Sequence, residues 1–210
     1  MSGRTIALYT TETMADWEYA YLTTQVAGAE AVWPGRFTLE FAGDGTDTVR
    51  SLGGLPVRPT TDLEALASDE SLAALVIPGG DRYGQGHERL LDLVGVLLAR
   101  DVPVAAICGA TYLLARGGLL DTRRHTSNDA SFLRMSGYQG GDHYVDAPVV
   151  TDQGITTASG LQAIPFTAAV ARLTGLQPEP VVDAWEQLYD TRRPEHFYAL
   201  REATREWQDA

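Results

Sequence analysis

Val104-Ala-Ala-Ile-Cys108-Gly109-Ala110-Thr111 is an apolar run that passes into a helix-forming segment with no loop between them. The helical reading continues to Arg116 and breaks at Gly117-Gly118. Ala106 and Ala110 stand two residues either side of Cys108. A sharp strand-to-helix turn crowds those flanking positions, so small side chains there fit a nucleophile elbow with cysteine in the place of serine. Such a turn projects the sulfur out of the sheet. The helix N-terminus behind it favours the anion, which predicts a thiol pKa below the free value. The competing reading of a lone cysteine is a small core hydrophobe; the elbow context argues against it.

The chain on either side has matching punctuation. Residues 5–9 and 73–78 read as short, continuously apolar strands, and residues 37–41 alternate. Residues 16–32 read as a helix, with Thr13 or Asp16 available to cap it. Residues 87–100 carry Leu90, Leu91, Val94, Leu97 and Leu98 at helical spacing. Gly53-Gly54 marks a hairpin within residues 49–58, and Asp152-Gln-Gly154 marks another between strands at 145–150 and 155–157. Residues 163–173 and much of the acidic tail after Val181 read as helical. Apolar strands alternating with amphipathic helices predict an α/β fold, a mostly parallel sheet with helices on both faces. The length of 210 residues fits a single domain, 1–210, with a helical C-terminal extension at about 179–210.

Composition narrows the function. The net charge is −12, from 16 basic and 28 acidic side chains, which argues against nucleic acid or an anionic membrane surface as partner. The apolar runs are strand-sized, too short for a membrane span, and residues 1–10 lack the form of a signal peptide. A single cysteine makes no internal disulfide and suits a reducing, cytoplasmic setting. The four histidines are scattered with no i, i+4 pair, so no metal site is expected. With no Walker A loop and no Gly-x-Gly-x-x-Gly after a strand, no cofactor is expected either.

In a parallel sheet the site lies beyond the C-terminal ends of the strands. Two further strand ends therefore matter. Pro78-Gly79-Gly80-Asp81 ends one strand, and the amides of Gly80 and Gly109 together are placed to hold a developing oxyanion. After the first strand, Glu18 shares a helical stripe with Leu22, Val26 and Ala29, whereas Asp16 sides with Thr23 and Glu30. A carboxyl on a core-facing stripe needs a partner, and burial raises its pKa. Glu18 could then donate to a thiolate or take up a substrate proton.

Together these segments resemble the ThiJ/PfpI family, the superfamily that includes the parkinsonism-associated deglycase. The opening strand, the acid in the first helix, Pro78-Gly79-Gly80, Ala106-Ile-Cys-Gly-Ala110, Gly118-Leu-Leu120 and Ile155-Thr-Thr-Ala-Ser-Gly160 occur in the family's order. The resemblance implies a flavodoxin-like three-layer sandwich, usually a homodimer. It maps Cys108 onto the family's nucleophilic or oxidation-sensing cysteine, Glu18 onto the acid that hydrogen-bonds it, and Gly80 and Gly109 onto the oxyanion amides. One position departs from it. Many family enzymes carry a histidine beside the cysteine or on a later strand end; here Gly109 follows Cys108, and an ungapped reading puts Asn128 at the later histidine's place. His125, three residues earlier, is the other candidate for orienting a substrate, although an odd separation on a strand points it to the opposite side. His87, His143 and His196 have weaker claims.

Three functions follow. A cysteine-dependent enzyme would act on a small carbonyl or amide, glyoxalase- or deglycase-like or amidohydrolase-like, through Cys108 and Glu18. A redox or stress sensor would oxidise Cys108 to a sulfinate. A non-catalytic module would bind a small ligand at the elbow.

Overall fold

A computed structural model describes residues 3–210. Its elements run β1 (Arg4–Thr10), α1 (Asp16–Val32), β2 (Phe37–Gly43), β3 (Val49–Arg50), β4 (Pro56–Val57), β5 (Thr61–Asp62), α2 (Leu63–Leu66) and β6 (Leu72–Ile77). They continue with α3 (Glu88–Ala99), β7 (Val104–Ile107), α4 (Gly109–Arg116), α5 (Ala130–Arg134), β8 (Val149–Asp152) and β9 (Ile155–Ala158). Helices α6 (Ala163–Thr174), α7 (Glu179–Thr191) and α8 (Pro194–Gln208) complete the chain. Among the described residues the main sheet has seven strands in the order β5-β2-β1-β6-β7-β9-β8. Only β8 runs antiparallel to its neighbour in it, in the hairpin with β9. This is the mostly parallel α/β sheet expected from the alternating pattern, in the flavodoxin-like sandwich that the family resemblance implies.

Alternation along the central strands splits the core into two layers. Ile6, Leu8, Val76, Ala105 and Ile107 face one side, where α1, α6, α7 and α8 contribute Leu22, Val26, Phe166, Val182, Trp185 and Trp207. Ala7, Tyr9, Leu75, Ile77, Val104 and Ala106 face the other, against Leu63 of α2, Leu90, Val94 and Leu97 of α3, and Leu113 and Leu114 of α4. Because both faces are covered, these strands are apolar at every position rather than at alternate ones.

Strand order reverses at β1, which sends successive connections to opposite sides and opens a crevice beyond the strand ends. The C-terminal ends of β1, β6 and β7 meet there. Two expectations change on this side of the molecule. The cap of α1 is Ala15, and neither Thr13 nor Asp16 caps it through its side chain. Asp16 instead accepts a 2.7 Å hydrogen bond from the Gly53 amide of the β3–β4 hairpin, and the Thr13 hydroxyl accepts one from the Asp81 amide. Both residues tie loops to α1 rather than close its own end. The strand read at 145–150 begins only at Val149; Val145 bonds back to His125 through its amide.

Candidate active site

Cys108 sits between β7 and α4 with φ 58° and ψ −123°, a conformation a side-chain-bearing residue seldom adopts. Such strain persists only where surrounding contacts over-determine it, and it is the geometry of a nucleophile elbow. Its amide donates to Ala158 O at 3.0 Å, which joins the elbow to the end of β9. The sulfur is half-buried.

Glu18 lies on the core-facing stripe read from the sequence, with Tyr19, Leu22, Val26 and Ala29, and is fully buried. Its Oε2 accepts a 2.5 Å hydrogen bond from the Gly79 amide at the end of β6. Among the described residues Oε1 has no hydrogen-bond partner, and the Cys108 sulfur lies close by, both standing 2.8 Å from where a Gly160 Cβ would be. Burial pushes the Glu18 carboxyl up to about 6, against the influence of Cys108 and the Gly79 amide bond, which lower it. Burial, and then the negative charge of Glu18, push the Cys108 thiol up to about 11. This corrects the expectation of a lowered thiol pKa. The Asn128 amide and the Gly109 N–H favour the thiolate, but loss of water and an adjacent carboxylate outweigh them. Two groups that compete for ionisation at this range titrate as one unit, which holds a single proton across the neutral range.

The residues around this pair leave little space. A methyl group on Gly160 would stand 2.8 Å from the Cys108 sulfur and 2.8 Å from Glu18 Oε1. One on Gly79 would stand 2.5 Å from Glu18 Oε2 and 3.1 Å from the sulfur. Only glycine permits the approach at both places. The sequence marks the Gly79-Gly80 pair for close backbone approach, whereas Gly160 enters it only as the end of the Ile155–Gly160 motif, just past β9.

Asn128 is at the sulfur. Its Nδ2 donates to Cys108 Sγ at 3.2 Å, and its Oδ1 accepts from the Gly160 amide at 2.8 Å. The second bond fixes which end of the amide faces the sulfur. His125 is not there. Its ring is buried, with Nδ1 2.7 Å from Arg123 O and Nε2 3.1 Å from the Tyr138 hydroxyl. Burial holds it below the usual histidine range, and it stacks edge-on with Tyr138 and Tyr144. It is a structural residue of the neighbouring layer, on the side its odd spacing from Asn128 predicts. The Gly80 amide has no acceptor among the described residues and stands 3.1 Å from where a Gly109 Cβ would be, so the two glycines are adjacent as read. Beyond the mouth of the site, Trp17 donates through its indole N–H to Gly160 O, and Trp17 and Leu161 stay exposed. Among the described residues no group of three or more His, Cys, Asp and Glu side chains is arranged to hold a metal ion. No helix among them is long and apolar enough to cross a membrane.

A doubly wound sheet with a cysteine elbow facing an acid from the first helix defines a class of α/β proteins. The DJ-1/PfpI family model matches residues 4–173, and the chain belongs to that family. It is 33% identical over 206 residues to the uncharacterized protease YoaZ of Bacillus subtilis, which covers 95% of this chain and 97% of that one. Among solved structures, a thiJ/pfpI family protein from Bacillus anthracis superposes with a TM-score of 0.85 at 30% identity, over 97% of this chain and 98% of the other. The DJ-1 superfamily protein Atu0886 from Agrobacterium tumefaciens gives 0.77 at 32% identity, over 90% and 100%. Helices α7 and α8 lie beyond the family match, whereas the two Bacillus proteins align over 95% and 97% of this chain.

Proposed function

We propose that this protein is a cysteine-dependent enzyme acting on a small carbonyl or amide, with Cys108 as nucleophile. One observation carries the reading: a half-buried cysteine on a strained elbow stands beside a fully buried carboxyl whose second oxygen has no hydrogen-bond partner among the described residues. Glu18 takes the thiol proton as sulfur adds to the electrophilic carbon, and the Gly80 and Gly109 amides receive the oxyanion. For an amide, the C–N bond then breaks, Glu18 returns the proton to the departing nitrogen, and water cleaves the thioester. For a 2-oxoaldehyde, addition gives a hemithioacetal. Moving its C1 proton to C2 yields the thioester of a 2-hydroxy acid, which water releases. Asn128 orients sulfur and substrate oxygen but carries no proton at neutral pH. The name of YoaZ, a protease, is in keeping with attack on a carbonyl carbon. The test is turnover of a panel of 2-oxoaldehydes, amides and esters by wild type and Cys108→Ala. Turnover lost in the variant supports the proposal; wild type inert across the whole panel overturns it.

Asn128 favours a second reading, a peroxide sensor, because it puts a hydrogen-bond donor rather than a base at the sulfur. A Cys108 thiolate would displace water from one peroxide to give the sulfenic acid, and a second peroxide would give the sulfinate and a second water. Asn128 and a protonated Glu18 would donate to the new oxygens. Mild peroxide is then expected to add two oxygens to Cys108 in wild type and fewer in Glu18→Leu; a thiol that stays unmodified removes this reading.

A further inference from the structure

Thr111, one turn into α4, has a fully buried hydroxyl that makes two hydrogen bonds. It donates to Cys108 O at 2.5 Å and meets the Ser127 hydroxyl at 2.6 Å. A hydroxyl has one proton, so Ser127 is the donor in the second bond. Bonding back to the carbonyl three residues earlier is common for a helical threonine and needs no functional account. Two facts go further here. Cys108 O already accepts from the Thr111 amide at 3.1 Å, so the hydroxyl is not required to satisfy it. The bond to Ser127 spans sixteen residues and reaches the one immediately before Asn128.

Ser127 and Asn128 are successive residues between the bridge at His125 and α5, and their side chains reach different partners. Ser127 turns inward to Thr111, and Asn128 turns outward to the sulfur. The same segment is anchored at Thr126, whose amide donates to Thr157 Oγ1 and whose hydroxyl donates to Ala147 O. We propose that Thr111 and Ser127 form a buried two-hydroxyl strut that sets the distance between the Asn128 amide and the Cys108 sulfur, making both positioning residues for the thiolate. Each end of the strut grips one partner of the 3.2 Å contact: the backbone of the strained cysteine, and the residue next to Asn128.

This inference rests on Cys108 being the reactive group of the proposed function. The probe is iodoacetamide, read by mass on Cys108 from pH 5 to 11, with circular dichroism to confirm the fold. Thr111→Val preserves shape and removes the donor. It is expected to raise the acidic midpoint of alkylation and slow the reaction at pH 7.5 about fivefold, the worth of one neutral hydrogen bond. Thr111→Ser should restore both, and Ser127→Ala, which keeps the elbow intact, should reproduce the loss. A purely structural role would lower the unfolding midpoint without moving the pH midpoint, and that result overturns the proposal. If wild-type Cys108 takes up no iodoacetamide at any pH in this range, the reading of Cys108 falls and the strut's role with it. If wild type is reactive and Ser127→Ala and Thr111→Val match it, only the strut is wrong.

Discussion

Glu18 is the residue on which stability and chemistry meet. Its carboxyl titrates near 6 in the fold and at the ordinary lower value when unfolded, so the folded state binds the extra proton between those limits. Stability from this group is therefore present at pH 4 and is lost as pH rises through 6. Glu18→Gln cannot ionise yet can keep the bond from the Gly79 amide, and should be more stable than wild type at pH 8 by about 2 kcal/mol and no more stable at pH 4. Urea unfolding at the two pH values checks this; a variant less stable at pH 8 contradicts it. Asn128→Asp would set an anion against the sulfur in place of a donor at 3.2 Å, and should slow iodoacetamide at pH 7.5 by about tenfold or more. The positions of Cys108 and Glu18 were legible from local pattern, a strand that becomes a helix and a helical stripe, whereas Asn128 came from the family resemblance, by an ungapped reading onto the later histidine's place. The shift of the thiol was not legible, because it depends on water excluded by residues far away in the chain. His125, whose odd spacing from Asn128 points it to the other side, is held away from the sulfur by Arg123 O and the Tyr138 hydroxyl.

Strands and long helices were readable because their periodicities repeat over several turns or alternations. Helix α1 appears with the bounds read from the sequence, Asp16–Val32. Helix α5 was missed; five residues are too few to show a period, and the one local signal was Asp129, whose side chain accepts from the Ser131 amide. The glycines at strand ends were half-read. Gly80 was noted for its amide, whereas Gly79 and Gly160 matter for the side chain they lack, a demand that arises only when β6, β7 and β9 are brought together. Adding one methyl at Gly160 forces the sulfur or the Glu18 carboxyl to move, so Gly160→Ala should cost about 1–3 kcal/mol in denaturant unfolding and also change Cys108 alkylation. A Gly160→Ala protein with wild-type stability and alkylation would mean the contact is looser than described.

At the scale of the molecule, the question is what fastens α7 and α8 to the sheet. Arg172 bridges Glu179, Asp183 and Glu186 at 2.6–2.8 Å, but Glu179 and Asp183 are at least half exposed and the cluster lies at the surface, so screening limits each pair to about 1 kcal/mol or less. Trp185 and Trp207 instead join the same apolar cluster as Ile6, Leu8 and Phe166, and Trp33 donates to Trp207 O. Trp207→Ala should therefore cost about 3 kcal/mol, well above Arg172→Ala. Because that cluster is shared, we expect one cooperative transition for the whole chain, with tryptophan fluorescence and far-ultraviolet circular dichroism coinciding; an early, separate fluorescence step would make the helical extension its own unit. Sedimentation distinguishes a homodimer, at twice the 22.7 kDa chain mass, from a monomer.

Everything chemical here depends on one proton held jointly by the sulfur of Cys108 and the carboxyl of Glu18. Following Cys108 alkylation rate against pH in wild type and Glu18→Gln tests this most directly. Shared titration predicts two steps in wild type, with midpoints near 6 and near 11, and a single intermediate step in the variant. One step at the free-thiol value of about 8.5, the same in both proteins, would contradict it.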